Sequence, residues 1–310
     1  VDPFISFLKT FRNRVLKKNK LKLYLKEKDL ENFIVKSEYE KILLKYLSKK
    51  ANFKEKISRE DIDFFDKILK REKKYQHSNI LKIKKNYKIK SFYELLTYYL
   101  NEFLKISNKK NKIKKIGTKI SWCEEYIPVF KRSFKKLKII FIIRDLKKSI
   151  NSAENSLYLS HSAKRPMLYY ILYWKKSVYF ANKYKKYLLF IKYENLIKSK
   201  LKNYYKIFKY VGLKNIKIKK IYDQFGHEWK NNSSFNNRLK RKKIDPKISK
   251  LVNYFCYKEL KLMKYNVKKI NNYKLNEIIE DLKKIDNKKK FKKKYKYYLN
   301  YKTIINQLNY

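Results

Sequence analysis

Glycine is nearly missing from this chain: three in 310 residues, with none before Gly117. A phosphate loop of the glycine-rich kind needs backbone amides that approach the anion without a Cβ in the way. No such loop exists ahead of Gly117. Cysteine is almost as rare. Cys123 and Cys256 lie far apart on stretches that read as helical, so they give neither a disulfide framework nor a metal-ligand spacing. His77, His161 and His227 are equally isolated, which argues against a zinc site and leaves no metal cofactor to expect. No apolar run approaches the roughly 20 residues of a membrane span. There is no secretory-signal pattern either, and a cytoplasmic location is the expectation.

Acid is the last scarcity. Asp and Glu number 27 against 83 Lys and Arg, a formal charge of +56. Such a balance ordinarily points to nucleic acid or an anionic membrane. Here Lys, Asn, Ile and Tyr are abundant together while Gly, Pro and Ala are scarce, the joint bias that an AT-rich genome imposes on all its proteins. The lysines are also spread along the chain rather than gathered on one element, so no specific nucleic-acid role is expected. The field favours anionic substrates whatever its origin. At 44% hydrophobic and 17% aromatic residues the chain can bury a core, and its length suits one large α/β domain or two small ones.

Periodicity gives the organisation. Asp2-Pro3 followed by Phe4, Phe7, Leu8, Phe11 and Val15 predicts a capped amphipathic helix. Segments 28–48, 58–71 and 91–106 read likewise, with Ser58/Asp61 and Ser91/Glu94 as capping pairs. A helix opens at Ser121-Trp-Cys-Glu124. An apolar strand over 138–143, a helix from Leu146, and a long helix from Pro166 to Lys186 carrying Trp174 follow. A second strand covers 187–193, Ser199 caps another helix, and Gly212 closes it. A further helix spans 248–263, with Leu251, Val252, Phe255 and Met263 on its apolar face. Strand, helix, strand, helix predicts an α/β fold, helix-rich, with a central parallel sheet wrapped by helices. Residues 1–266 are expected to form that domain. Residues 267–310 read as a basic extension, with a weak helix near 274–285 and a solvated run from Lys288 to Tyr295.

The segment Lys138–Ser156 carries most of the chemistry. Its apolar run ends in Arg144-Asp145, and a helix bearing Ser149, Ser152 and Ser156 follows. Open α/β sheets bind ligands outside the carboxyl ends of their strands. A guanidinium there offers a planar fork that suits phosphate, and the helix start adds unpaired N–H groups. The same pattern also fits an Arg-Asp pair that merely caps the helix, with ordinary solvated serines. Both readings stay open at this point.

Four segments in order resemble the PAPS-dependent sulfotransferases, especially the branch shared by bacterial, carbohydrate and tyrosyl-protein enzymes. Gly117-Thr-Lys119-Ile-Ser resembles the family's G-x-K-T-P. Phe141-Ile-Ile-Arg144-Asp145, with Ser152 eight residues after the arginine, resembles the 3′-phosphate motif. Lys192-Tyr193-Glu194-Asn-Leu196 and then Val211-Gly-Leu213 resemble R-Y-E-D-L and F-L-G-L. Trp229-Lys-Asn-Asn-Ser233-Ser234-Phe235 resembles the N-S-S-F loop over the nucleotide, and the helix ending in Met263-Lys-Tyr265 matches the closing helix. Together these span about 115 to 266, half the chain.

The resemblance implies a P-loop-like sulfotransferase fold and transfer of a sulfuryl group from 3′-phosphoadenylyl sulfate (PAPS) to a hydroxyl or amine of an acceptor such as a glycan. It assigns Arg144, Ser152, Tyr193, Ser233 and Ser234 to the nucleotide, with Lys240 or Arg241 adding charge, and Lys119 to catalysis. The family's first motif, the loop that cradles the 5′-phosphosulfate, has no counterpart here. The chain opens on Val1 directly into a helix, so a fragment whose first strand and loop lie upstream is expected over a degenerate homologue. No general base is assigned. Two rivals remain: a related nucleotide-dependent transferase or kinase, and a non-catalytic basic protein that holds anionic polymers.

Overall fold

The computed structural model describes residues 3–18, 38–71, 78–106, 117, 123–154, 165–198, 200–213, 243–287, 289, 291 and 297–308. The chain divides into two units, Val1–Leu137 and Lys138–Tyr310.

The first unit is helical. Its elements are α1 (Pro3–Lys18), α2 (Glu38–Lys49), α3 (Arg59–Arg71), α4 (Ser78–Leu81), α5 (Phe92–Ile106) and, after a 3₁₀ turn at Glu124–Tyr126, α6 (Ile127–Ser133). The apolar stripe of α1 is buried at Phe4, Phe7, Leu8, Phe11 and Val15. It packs on Phe53, whose ring meets Phe7 and Phe11 edge-on at 4.8 Å each and Phe130 at 5.3 Å. Each buried ring contributes about 1.5–3 kcal/mol by leaving water, and edge-to-face pairs add about 0.5–1.5 kcal/mol.

Both expected capping pairs form in this unit. Ser58 N–H donates to Asp61 Oδ2 at 3.1 Å while Asp61 N–H donates to Ser58 Oγ at 3.3 Å, a reciprocal box that starts α3. Glu94 N–H donates to Ser91 Oγ at 3.2 Å, and the return bond goes to Lys90 N–H at 2.8 Å. The far end of α2 is closed from a distance. The Arg132 guanidinium donates to the carbonyls of Leu47, Ser48 and Ala51, the latter two at 2.9 Å, which satisfies oxygens that a helix end leaves unpaired.

The second unit holds β1 (Ile139–Ile143), α7 (Leu146–Glu154), α8 (Met167–Lys183), β2 (Leu188–Lys192), α9 (Tyr193–Lys198), α10 (Lys200–Val211), α11 (Pro246–Phe255), α12 (Tyr257–Leu262), α13 (Leu275–Asp286) and α14 (Tyr301–Leu308). The strands pair in parallel, with Ile139 opposite Leu188 and Ile143 opposite Lys192. Phe141 and Phe190 stack at 5.6 Å on the face that joins the core. That face is closed, with Ile143 4% exposed, whereas Ile142 on the other face is 49% exposed. Gly212, at φ 74°, ends α10: Gly212 N–H bonds Lys209 O and Leu213 N–H bonds Phe208 O, the paired closure that a left-handed residue permits.

The expected parallel sheet is present, and among the described residues it has two strands with helices around them. The two units meet in sequence at 137/138. Residues after 267 also supply core: Tyr273, Ile278, Leu282, Ile285, Tyr301, Ile304 and Ile305 are buried with Ile143, Trp174 and Phe255. The apolar residues of α13 recur at helical spacing, so the helix packs despite its many lysines.

Candidate functional site

Strand register builds the site. Ile143 and Lys192 are partners at the carboxyl ends of β1 and β2, so Arg144 and Tyr193 leave the sheet side by side. The Arg144 guanidinium carbon lies 5.0 Å from the centre of the Tyr193 ring. A cation over an aromatic face is held by the ring quadrupole and keeps its in-plane N–H groups for other partners. Arg144 Nε is buried and has no hydrogen-bond partner. The carbonyl of Arg144 is fixed by Trp174 Nε1–H at 2.9 Å, which anchors the main chain from α8. Burial pushes the Tyr193 phenol above its ordinary range, against the nearby charge of Arg144.

Two carboxylates sit in the same corner, both committed to protein groups. Asp145 Oδ1 accepts the N–H of Lys147 at 2.8 Å and of Lys148 at 3.3 Å, and so caps α7. The helix-capping reading of Asp145 is thus what the structure contains, and the start of α7 already has its anion. Arg144, beside it, takes no part in that cap and lies over the Tyr193 ring. Glu194 Oε1 accepts Asp145 N–H at 3.0 Å, while Glu194 Oε2 accepts the Tyr265 hydroxyl at 3.1 Å. Glu194 therefore links the ends of both strands to the segment after α12. Burial first, and then the Glu194 charge, push the Tyr265 phenol well up.

That segment is a tight turn. Lys264 has φ 55°, and its N–H bonds Lys261 O at 2.9 Å while Tyr265 N–H bonds Leu260 O at 2.9 Å. The turn closes α12 as Gly212 closes α10, with a lysine in place of glycine. Two lysines reach it, one from the end of β2 and one from the first turn of α7. Lys192 Nζ donates to Lys264 O at 2.9 Å and lies 4.5 Å from the Tyr265 ring centre. Lys147 Nζ donates to Asn266 O at 3.2 Å and contacts Asn253 Oδ1 at 3.4 Å. Burial lowers the Lys192 ammonium from its ordinary value.

Of the residues named from sequence, the structure brings Arg144 and Tyr193 together. Ser152 stands exposed as the seventh residue of α7, and no hydrogen bond joins it to Arg144. Lys119, Ser233 and Ser234, as well as Lys240 and Arg241, lie outside the described residues. Sequence reasoning gave no role to Glu194, Tyr265, Lys147 or Lys192. Glu194 and Tyr265 fall inside segments singled out for other reasons, but their contact spans 71 residues and has no local signal.

Among the described residues no group of three His, Cys, Asp or Glu side chains is placed to hold a metal ion. No described helix is long and apolar enough to cross a membrane. Comparison of the chain with known protein families, with curated proteins and with solved structures finds no match.

Proposed function

We propose that the chain is a sulfotransferase of the PAPS-dependent kind, on a P-loop-like α/β fold, with the corner at Arg144 holding the 3′-phosphate of the donor. The observation that carries the reading is Arg144 lying over Tyr193 at the ends of two registered parallel strands, with a buried Nε that has no partner. A guanidinium so held can offer two parallel donors to a phosphate. Tyr193 would then lie beside the nucleotide. Ser152, about 9 Å along α7 from its first residue at 1.5 Å per residue, would reach the phosphate from the side. Ser233 and Ser234 would close over the same group.

The 3′-phosphate is remote from the reacting sulfur, so its binding energy serves to position the sulfuryl group for in-line attack. The acceptor oxygen or nitrogen forms a bond to sulfur as the bond from sulfur to the bridging phosphate oxygen breaks. The acceptor's proton goes to a base, and negative charge grows on the departing oxygen, which Lys119 would stabilise. The acceptor is a hydroxyl or amine, carbohydrate-like in the simplest case.

Adenosine 3′,5′-bisphosphate, the donor's product, is the probe. Calorimetric titration should show it binding more tightly than adenosine 5′-phosphate. Arg144→Ala should weaken the bisphosphate by about 1.5–3 kcal/mol, as for a charge-assisted hydrogen bond, and leave the monophosphate unchanged. Equal affinity for the two nucleotides in both proteins would remove the 3′-phosphate site and the sulfotransferase reading with it. A preference for adenosine triphosphate over the bisphosphate would move the reading to a kinase-like transferase.

A further inference from the structure

We propose that Lys147 and Lys192 are phosphate ligands of the same corner, forming with Arg144 a three-cation site for a terminal phosphomonoester, and that the Lys264–Asn266 turn holds and orients their ammonium groups. The inference rests on the reading of Arg144 given above and adds to it two residues and a preferred charge state.

The first observation is how charge is distributed. Elsewhere in this unit partly buried lysines find carboxylates: Lys289 pairs with Glu154 at 3.0 Å, and Lys175 pairs with Glu259 at 3.1 Å while also donating to Phe255 O at 2.8 Å. At the strand ends the pattern reverses. Asp145 and Glu194 are present, yet they accept main-chain N–H groups and a tyrosine hydroxyl. Arg144 faces a ring, and Lys147 and Lys192 donate to neutral carbonyl and amide oxygens. None of the three cations makes an ion pair among the described residues. Charge-assisted bonds to an anion are roughly twice as strong as bonds to neutral acceptors. An arriving phosphate dianion therefore outcompetes the carbonyls.

The second observation is geometric. Lys192 ends β2 directly before Tyr193, and Lys147 lies in the first turn of α7, three residues after Arg144. Their acceptors, Lys264 O and Asn266 O, are two residues apart on one turn, so both ammonium groups are tied to the same short segment. Tyr265 between them is tied to Glu194 and lies 3.5 Å from the Ile143 carbonyl, so the turn is fixed to the strand ends. Burial already disfavours the Lys192 charge, and an anion beside it relieves that cost. A dianionic monoester, with three free oxygens, can serve three cations. A bridging diester, with one charge and two free oxygens, gains less from the same three cations.

Adenosine 3′,5′-bisphosphate titrated into the full chain tests this, with thermal unfolding as the fold check. Lys192→Met and Lys147→Met should each weaken binding about tenfold. Lys148→Met, which removes an exposed charge next door, should leave it unchanged. Equal losses in all three would mean that only the general positive field acts, and no loss in the first two would exclude them as ligands; either result overturns the inference. If Arg144→Ala binds as the parent does, the reading of the corner itself fails. If Arg144→Ala is impaired and the two lysine variants are not, only the present inference fails. Lysine labelling of the parent protein, read by mass spectrometry, covers variants that do not fold. Bisphosphate should protect Lys147 and Lys192 more than Lys148, and uniform labelling overturns the proposal.

Discussion

The two units solve the same problem, burying polar groups beside an aromatic-rich core, in different ways. In Val1–Leu137 several polar side chains serve the backbone, beside a surface network in which Lys85 joins Asp63 and Asp66. Ser58 and Asp61 start a helix, Ser91 and Glu94 start another, and Arg132 finishes a third. In Lys138–Tyr310 polar side chains gather among buried elements at two nodes, one at the strand ends and one around Asp286. The second node joins four helices: Asp286 accepts Met167 N–H at 3.1 Å and the Tyr301 hydroxyl at 3.2 Å, and Lys289 bridges it to Glu154. Capping groups are satisfied once the helix forms. Convergent nodes hold charge among buried groups, and that is where a change of pH can act.

The sharpest test of that contrast is to remove ring packing from the first unit. Phe53→Ala should cost about 3–5 kcal/mol, because a fully buried ring with three close ring neighbours leaves a cavity. Hydrogen exchange should locate the loss in α1, α2, α5 and α6. A loss of equal size over the helices of the second unit would erase the distinction between the two.

The next test is acid. Burial pushes the Asp286 carboxyl up to about 6, against the pull of Lys289, Met167 N–H and Tyr301. A carboxyl raised above its unfolded value binds its proton more tightly when folded. Its stabilising contribution is therefore complete below about pH 4 and is lost as pH rises through 6, about 3 kcal/mol in all. Chemical denaturation from pH 4 to 7 should show this slope in the parent and not in Asp286→Asn. An unchanged slope in the variant would assign the effect to other groups.

The smallest expected effect concerns the turn after α12. Lysine at φ 55° is strained where glycine is not, so Lys264→Gly should stabilise the protein by up to about 1 kcal/mol. A destabilised variant would show that the lysine side chain contributes more than its backbone costs.

Much of the local structure was legible in the sequence. The strand limits near Ile139–Ile143 and Leu188–Lys192, both capping pairs and the closing role of Gly212 follow from residue type and spacing within a few positions. What failed was non-local. The segment after Val267 reads as a tail because lysines dominate its composition, although Ile278, Leu282 and Ile285 lie at helical spacing and are buried. Of the site, the adjacency of Arg144 and Tyr193 follows from two strand ends in register. The link from Glu194 to Tyr265 depends on where a helix packs many residues later, and no local pattern encodes it. Asp145 shows the converse limit: the same dipeptide fits an anion site and a helix cap, and the N–H groups of Lys147 and Lys148 show that Asp145 is a cap.

The clasp of Arg132 on α2 also bears on how the chain is made. Leu47 and Arg132 are separated by 85 residues, so the carboxyl end of α2 stays unclosed while α3, α4 and α5 are being synthesised. The first unit is thus locked by its last helix. A ribosome that stalls before Arg132 holds a nascent chain whose second helix still ends in water, a long-range closure of the kind that delays folding.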